Sequence, residues 1–137
     1  MTALPGADVD AAPDDEQFWA AAGEGTLLLG RCDACESAFW YPRPFCPACG
    51  GAAGTVPARG TGVVYSYTVV RKARGAFGEA VPYVVAYVEL SEGPRILSNV
   101  VDCDPAQVSI GLPVEIGFDD AGAGRRLYRF KPRPGGS

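Results

Sequence analysis

Between Gly62 and Val70 the chain alternates with a period of two. Val63, Tyr65, Tyr67 and Val69 fall on one face, and Ser66 and Thr68 on the other. Aromatic and β-branched residues at that period predict a strand. Similar short runs recur at 83–90, 95–101, 113–118 and 127–130. A glycine-rich loop over 73–80, a Gly93-Pro94 turn and a loop over 119–124 punctuate them. Between the third and fourth runs, Asp104-Pro105-Ala106-Gln107 suits one helical turn, with Asp104 as cap and Pro105 at the first helical position. Five short strands with a helical turn in that place predict a mainly β fold whose C-terminal part, 55–131, is a five-stranded OB-fold barrel.

The N-terminal part reads differently. Residues 1–13 are small, acidic and carry two prolines, which predicts a disordered tail. Residues 14–25 predict a short helix, capped by Asp14 or Asp15 and stopped by Gly23 and Gly25, with Phe18, Trp19 and Ala22 on one side. Residues 26–54 contain four clustered cysteines. Residues 132–137 predict a loose tail.

Composition narrows the chemistry. The chain has 137 residues, 47% of them hydrophobic, with 18 Gly and 12 Pro, a balance that favours turns and short strands. No apolar run approaches the roughly 20 residues of a membrane span, and the acidic start lacks the form of a signal peptide, so no membrane and a cytoplasmic location are expected. The net charge is −4, but Asp8, Asp10, Asp14, Asp15 and Glu16 carry five of the 16 acids. The remaining body is close to neutral. There is no histidine. That removes the commonest general base and one of the two main zinc ligands, so any zinc must be held by thiolates. No G-x-S-x-G or P-loop is present, and Gly60-Thr61-Gly62 opens a strand rather than a helix.

The cysteines follow the pattern C-D-A-C, ten residues, C-P-A-C. Two C-x-x-C pairs suit two facing knuckles, so Cys32, Cys35, Cys46 and Cys49 are the expected ligands of one structural zinc. Four thiolates leave no open position for water, so the metal holds structure and does no chemistry. Iron in a rubredoxin-like site is the minor alternative, since four thiolates also bind iron. Two disulfides are disfavoured because nothing indicates secretion. Gly50 after the second pair can take the left-handed conformation that aims backbone N–H groups at sulfur. Glu36 holds the matching place after the first pair, where glycine would be easier. Cys103, flanked by Asp102 and Asp104, is expected to be a core cysteine rather than a nucleophile.

With these residues in view, the chain resembles the acyl-CoA-associated OB-fold proteins that carry a rubredoxin-like zinc ribbon. The resemblance runs through Phe18-Trp19, Gly25-Thr26-Leu27, Arg31 to Cys35, Tyr41-Pro42-Arg43-Pro44 and Cys46 to Gly50. It continues through Gly60 to Val70, Pro82-Tyr83, Val88-Glu89-Leu90 and Gly111 to Val114, so it spans about residues 16–131 in order. Glu36 departs from the glycine that the family often has. The resemblance implies an accessory role beside thiolase-like proteins or hotdog-fold hydratases. For a stand-alone chain of this composition it implies pairing with a thiolase-like aldolase that cleaves a steroid side-chain hydroxyacyl-CoA by a retro-aldol step.

Two functions are therefore expected to compete. In the first, the chain is a non-catalytic subunit in a hetero-oligomer, such as a heterotetramer, with a thiolase-like protein. Phe18, Trp19, Phe39, Trp40, Tyr41, Phe45 and Phe77 are then candidate interface residues, about half of them serving the chain's own core. Phe77, between Gly75 and Gly78, is read as exposed. Arg71, Lys72 and Arg74 in one cluster, with Arg125 and Arg126 beside Arg129 in another, are candidates to contact CoA phosphates. In the second, Tyr65, Tyr67, Tyr83 and Tyr87 are stacking platforms of a single-stranded nucleic-acid module. Against it stand the neutral body and strands almost free of Lys and Arg, so no nucleic acid is expected.

Overall fold

A computed structural model describes residue 4, residues 16–122 and residues 125–133. Apart from Leu4, the tail expected over 1–13 lies outside the described residues, as do most of that over 132–137 and Asp14 and Asp15. The first element is helix α1, Glu16–Gly23. It buries Phe18 and Ala22 and ends where Gly25 takes a φ of 86° and Thr26 N donates to Ala21 O at 2.9 Å. That left-handed glycine lets the chain turn away while the last carbonyls are still satisfied.

Three strands form the ribbon: β1 Leu28–Cys32, β2 Ala38–Phe39 and β3 Ala53–Pro57, in the order β2-β1-β3, all antiparallel. Residues 55–57 pair with 28–30, so they belong to the ribbon sheet. The barrel itself begins at Thr61.

Its strands are β4 Thr61–Val70, β5 Tyr83–Leu90, β6 Arg95–Val100, β7 Pro113–Gly122 and β8 Arg125–Pro132. They close in the order β4-β5-β6-β8-β7. The return from β7 to β4 pairs Thr61 with Glu115, and the one parallel pairing sets Val100 beside Phe130. This is the Greek-key barrel of an OB-fold, as the strand pattern predicts. A 3₁₀ turn at Pro105–Gln107 lies between β6 and β7. Asp104 caps it by accepting from Ala106 N at 2.9 Å, and Gln107 reaches back to Asp104 N.

Three expectations need correction. The loop expected over 119–124 is mostly strand, because the β7–β8 ladder runs on through Asp119 opposite Leu127 and Asp120 opposite Arg126. A charged pair across the strands replaces the apolar alternation that marks strands in sequence. The loop expected over 73–80 holds a 3₁₀ turn, Gly75–Glu79, and its Phe77 packs against the Tyr83 ring at 5.6 Å instead of standing free. On β4 a bulge between Val64 and Ser66 shifts the alternation by one residue, so Val63 and Tyr65 face outward while Tyr67 and Val69 share the register of the inward Ala86 and Val84, with Val69 packed on the core.

One apolar cluster fills the barrel: Val64, Val84, Ala86, Val88, Leu90, Ile96, Val100, Val108, Val114 and Phe130. Phe18, Leu27 and Leu29 join it from the N-terminal side, so the helix and the root of the ribbon are sealed onto the barrel. Around Phe18 the rings of Trp19, Trp40, Tyr41 and Tyr128 meet at centroid distances of 4.7–6.4 Å. Several contacts are edge-on, the arrangement favoured by ring quadrupoles.

Candidate functional site

The second cluster is small: Cys32, Phe39 and Cys46, with Ala53 against them. Cys32 ends β1, and the C-x-x-C turn after it is closed by Glu36 N donating to Cys32 O at 3.0 Å. The second turn is closed in the same way by Gly50 N and Cys46 O at 2.9 Å. Glu36 and Gly50 hold left-handed backbone, with φ of 61° and 76°. Glu36 therefore accepts the strain expected of a side chain there. Beneath the knuckles, a Cβ at Gly30 would enter the Phe39 ring, so only glycine lets β1 pass under that aromatic.

The geometry suits a metal. The four Sγ atoms lie within 4.8 Å of one another. Cys32 and Cys49 approach to 3.4 Å, and Cys35 and Cys46 to 3.8 Å. A tetrahedral zinc at about 2.3 Å from each sulfur needs sulfurs about 3.8 Å apart. Backbone donors also point inward: Ala34 N and Cys35 N to Cys32 Sγ, and Ala48 N to Cys46 Sγ, at 3.3–3.4 Å. Such N–H groups stabilise thiolates over thiols. The donor set fits a structural zinc, and the iron alternative gains no support from it. Two of the four thiols are shifted in opposite directions. The Ser37 hydroxyl and backbone hold Cys35 down at about 6. For Cys49, the Gly51 backbone contact pulls down, yet the neighbouring sulfurs of Cys32, Cys35 and Cys46 push it up to about 11. Ser37, which no spacing rule singled out, is thus part of the site.

The other expected site residues are scattered. Phe18 and Phe39 are buried. Trp19, Trp40 and Tyr41 are half-buried in the aromatic cluster, and Phe45 stands out at 63% exposure. Arg71, Lys72 and Arg74 are all exposed beyond the end of β4. Arg126 is exposed opposite Asp120, and the side chain of Arg125 lies outside the described residues. Arg129 is buried and donates to Asp119 at 2.8 Å and to Leu4 O at 3.2 Å, so it is committed to the fold. Cys103 sits half-buried beside a cleft of about 720 Å³ lined by Ala80 to Pro82 and Asp102 to Pro105. Burial, then the charges of Asp102 and Asp104, push its thiol up, which keeps it protonated and weakly nucleophilic. Among the described residues no helix is long and apolar enough to cross a membrane.

Both parts of the chain resemble known proteins. Residues 19–53 match the family described as the ChsH2 rubredoxin-like zinc ribbon domain, and residues 55–119 match the ChsH2 C-terminal OB-fold domain. A DUF35 domain-containing scaffold protein of Methanocaldococcus jannaschii is 37% identical over 123 residues, covering 83% of this chain and 87% of that protein. A probable enoyl-CoA hydratase alpha subunit of Thermomonospora curvata is 42% identical over 120 residues, 86% of this chain. This chain spans only 37% of that longer relative. Among solved structures, a chain of the Ltp2-ChsH2(DUF35) aldolase superposes with a TM-score of 0.81 at 38% identity, covering 91% of this chain and 98% of that one.

Proposed function

Because this chain belongs to the DUF35 family of zinc-ribbon and OB-fold proteins, we propose that it is a non-catalytic accessory subunit of an acyl-CoA enzyme complex. The carrying observation is the superposition, over nearly all of its length, with a chain of an aldolase. What the chain lacks supports the same reading. It has no histidine, four of its five cysteines converge on one metal site, and the fifth is held as a thiol. The chemistry therefore belongs to the partner.

The finer reading is a thiolase-like partner that performs a retro-aldol cleavage. In that step a base on the partner takes the proton of the substrate hydroxyl. The alkoxide collapses to a carbonyl as the carbon–carbon bond breaks, so that fragment leaves as a ketone or aldehyde. The electrons of the broken bond pass into the thioester enolate, and a proton completes the shorter acyl-CoA. The assignment to a steroid side chain extends the family resemblance and rests on no contact in this chain. The assembly would be a hetero-oligomer, such as a heterotetramer. Phe45, with the half-buried Trp19, Trp40 and Tyr41, would form a docking strip at the ribbon end, braced from behind by Phe18 and Phe39, and Phe77 beside Tyr83 would be a separate contact on the barrel. The cations Arg71, Lys72, Arg74, Arg125 and Arg126 would meet CoA phosphates.

Gentle purification of the tagged chain from its source tests this. A stoichiometric thiolase-like protein, with retro-aldol cleavage of a hydroxyacyl-CoA only when both are present, is the expected result. Recovery of the chain alone overturns it. An Arg71→Glu, Arg74→Glu double variant that leaves the CoA affinity of the complex unchanged removes those residues from the CoA site.

A further inference from the structure

The described residues contain seven large hydrophobic side chains that remain exposed, and four of them share one surface. Val63 and Tyr65 lie on β4, Tyr87 on β5 and Leu97 on β6, each 38–47% exposed. These strands are neighbours, and Tyr87 stands directly opposite Leu97. Tyr67, Val85, Tyr87 and Leu97 border a groove of about 240 Å³, room enough for one anchoring side chain. The inward residues of the same strands fill the barrel, so folding does not require this outer face to be apolar.

Charge and area decide what covers it. β4, β5 and β6 together contain one acid, Glu89, and one base, Arg95. The two pair at 3.1 Å, and the Arg95 guanidinium lies 3.8 Å over the Tyr65 ring. The only cation on the face is therefore already engaged. A nucleic-acid strand needs several phosphate contacts besides stacking. A neutral protein surface needs none, and tyrosines joined by an arginine are what such interfaces concentrate at their centres. A half-exposed tyrosine presents roughly 100 Å², so the face amounts to on the order of 400 Å². Two copies meeting through it alone would bury roughly 800 Å², no more than a crystal contact. The occupant must reach beyond the patch, as a larger subunit does.

We propose that the outer face of β4, β5 and β6 docks a neutral, apolar surface of the catalytic subunit, with Val85, Tyr87 and Leu97 holding one of its side chains. This rests on the accessory-subunit reading and adds to it a footprint away from the ribbon. The test uses the full-length chain with the thiolase-like subunit recovered alongside it. Tyr87→Arg and Leu97→Glu, made separately, are each expected to weaken association at least about 10-fold, with zinc content and melting temperature unchanged. Wild-type association in both variants overturns the assignment while leaving the accessory reading intact. If the wild-type chain binds no such subunit, both fail together. The assignment also fails if the wild-type chain dimerises alone and these variants break the dimer, or if they abolish retention on single-stranded oligo(dT) yet spare enzyme binding.

Discussion

The ribbon and the barrel are similar in strand content but are held together by different physics. The barrel buries ten apolar side chains in a continuous cluster, joined by Phe18, Leu27 and Leu29. The ribbon buries one ring and two sulfurs. Its three short strands cannot offset the entropy of ordering about 25 residues by apolar burial, so the metal must do so. The barrel needs no such cross-link, because each inward residue of one strand meets inward residues of its neighbours. One chain thus uses a coordination bond where the loops are long and a hydrophobic core where the strands are long.

That contrast is sharpest if the metal is removed. Zinc binding to four thiolates contributes roughly 10–16 kcal/mol of apparent folding free energy in small modules. Chelation, or Cys46→Ser, is expected to erase amide protection across β2, β3 and both knuckles while β4 to β8 stay protected. Hydrogen exchange read residue by residue checks this. Loss of protection throughout the barrel would break the comparison. Acid should act as the chelator does, since each proton displaces metal from a thiolate.

A smaller effect is expected from the barrel side. Phe130 is fully buried at the parallel contact between β6 and β8. Phe130→Ala is expected to cost about 3–5 kcal/mol, with one zinc per chain retained. Denaturant titration with metal analysis separates the two, and a variant that also loses zinc would mean that the regions do not behave separately.

The smallest effect lies at the join. Tyr128 of β8 sits under Phe18, Trp19 and Trp40, and burial pushes its hydroxyl up to about 12. A tyrosine in the unfolded chain titrates near 10. The folded state therefore keeps a proton that the unfolded state gives up. This contribution is full below about pH 10 and is lost as pH rises towards 12. Tyr128→Phe should flatten the loss of stability between those limits, as read from urea midpoints and from tyrosinate absorbance. An unchanged alkaline slope would mean that the join is not sealed.

Much of this was legible in the chain. The period-two runs located the barrel strands, and Asp104-Pro105 located the turn after β6, because both signals are local. The four-cysteine cluster was legible because two C-x-x-C turns in one short segment have few other uses. Other features were not, and the reasons are particular. Asp119 and Asp120 hid the strand extension, since a cross-strand charge pair resembles a polar loop. The bulge after Val64 moved Val69 to the core, and nothing in the residues marks it. Phe77 looked free until Tyr83, brought near by the fold, covered it. Arg129 looked like its surface neighbour Arg126, yet the fold buries it against Asp119.

The sequence by itself determined the four-cysteine cluster, the order of the elements and the absence of a histidine-based site, since these depend on residue type and short spacing. Only the tertiary structure decided which aromatics are spent inside and which remain outside. Tyr65, Tyr67 and Tyr87 have the same strand propensity as buried residues. Whether they face core or partner depends on barrel closure, which joins strands far apart in the chain and turns one face of each inward.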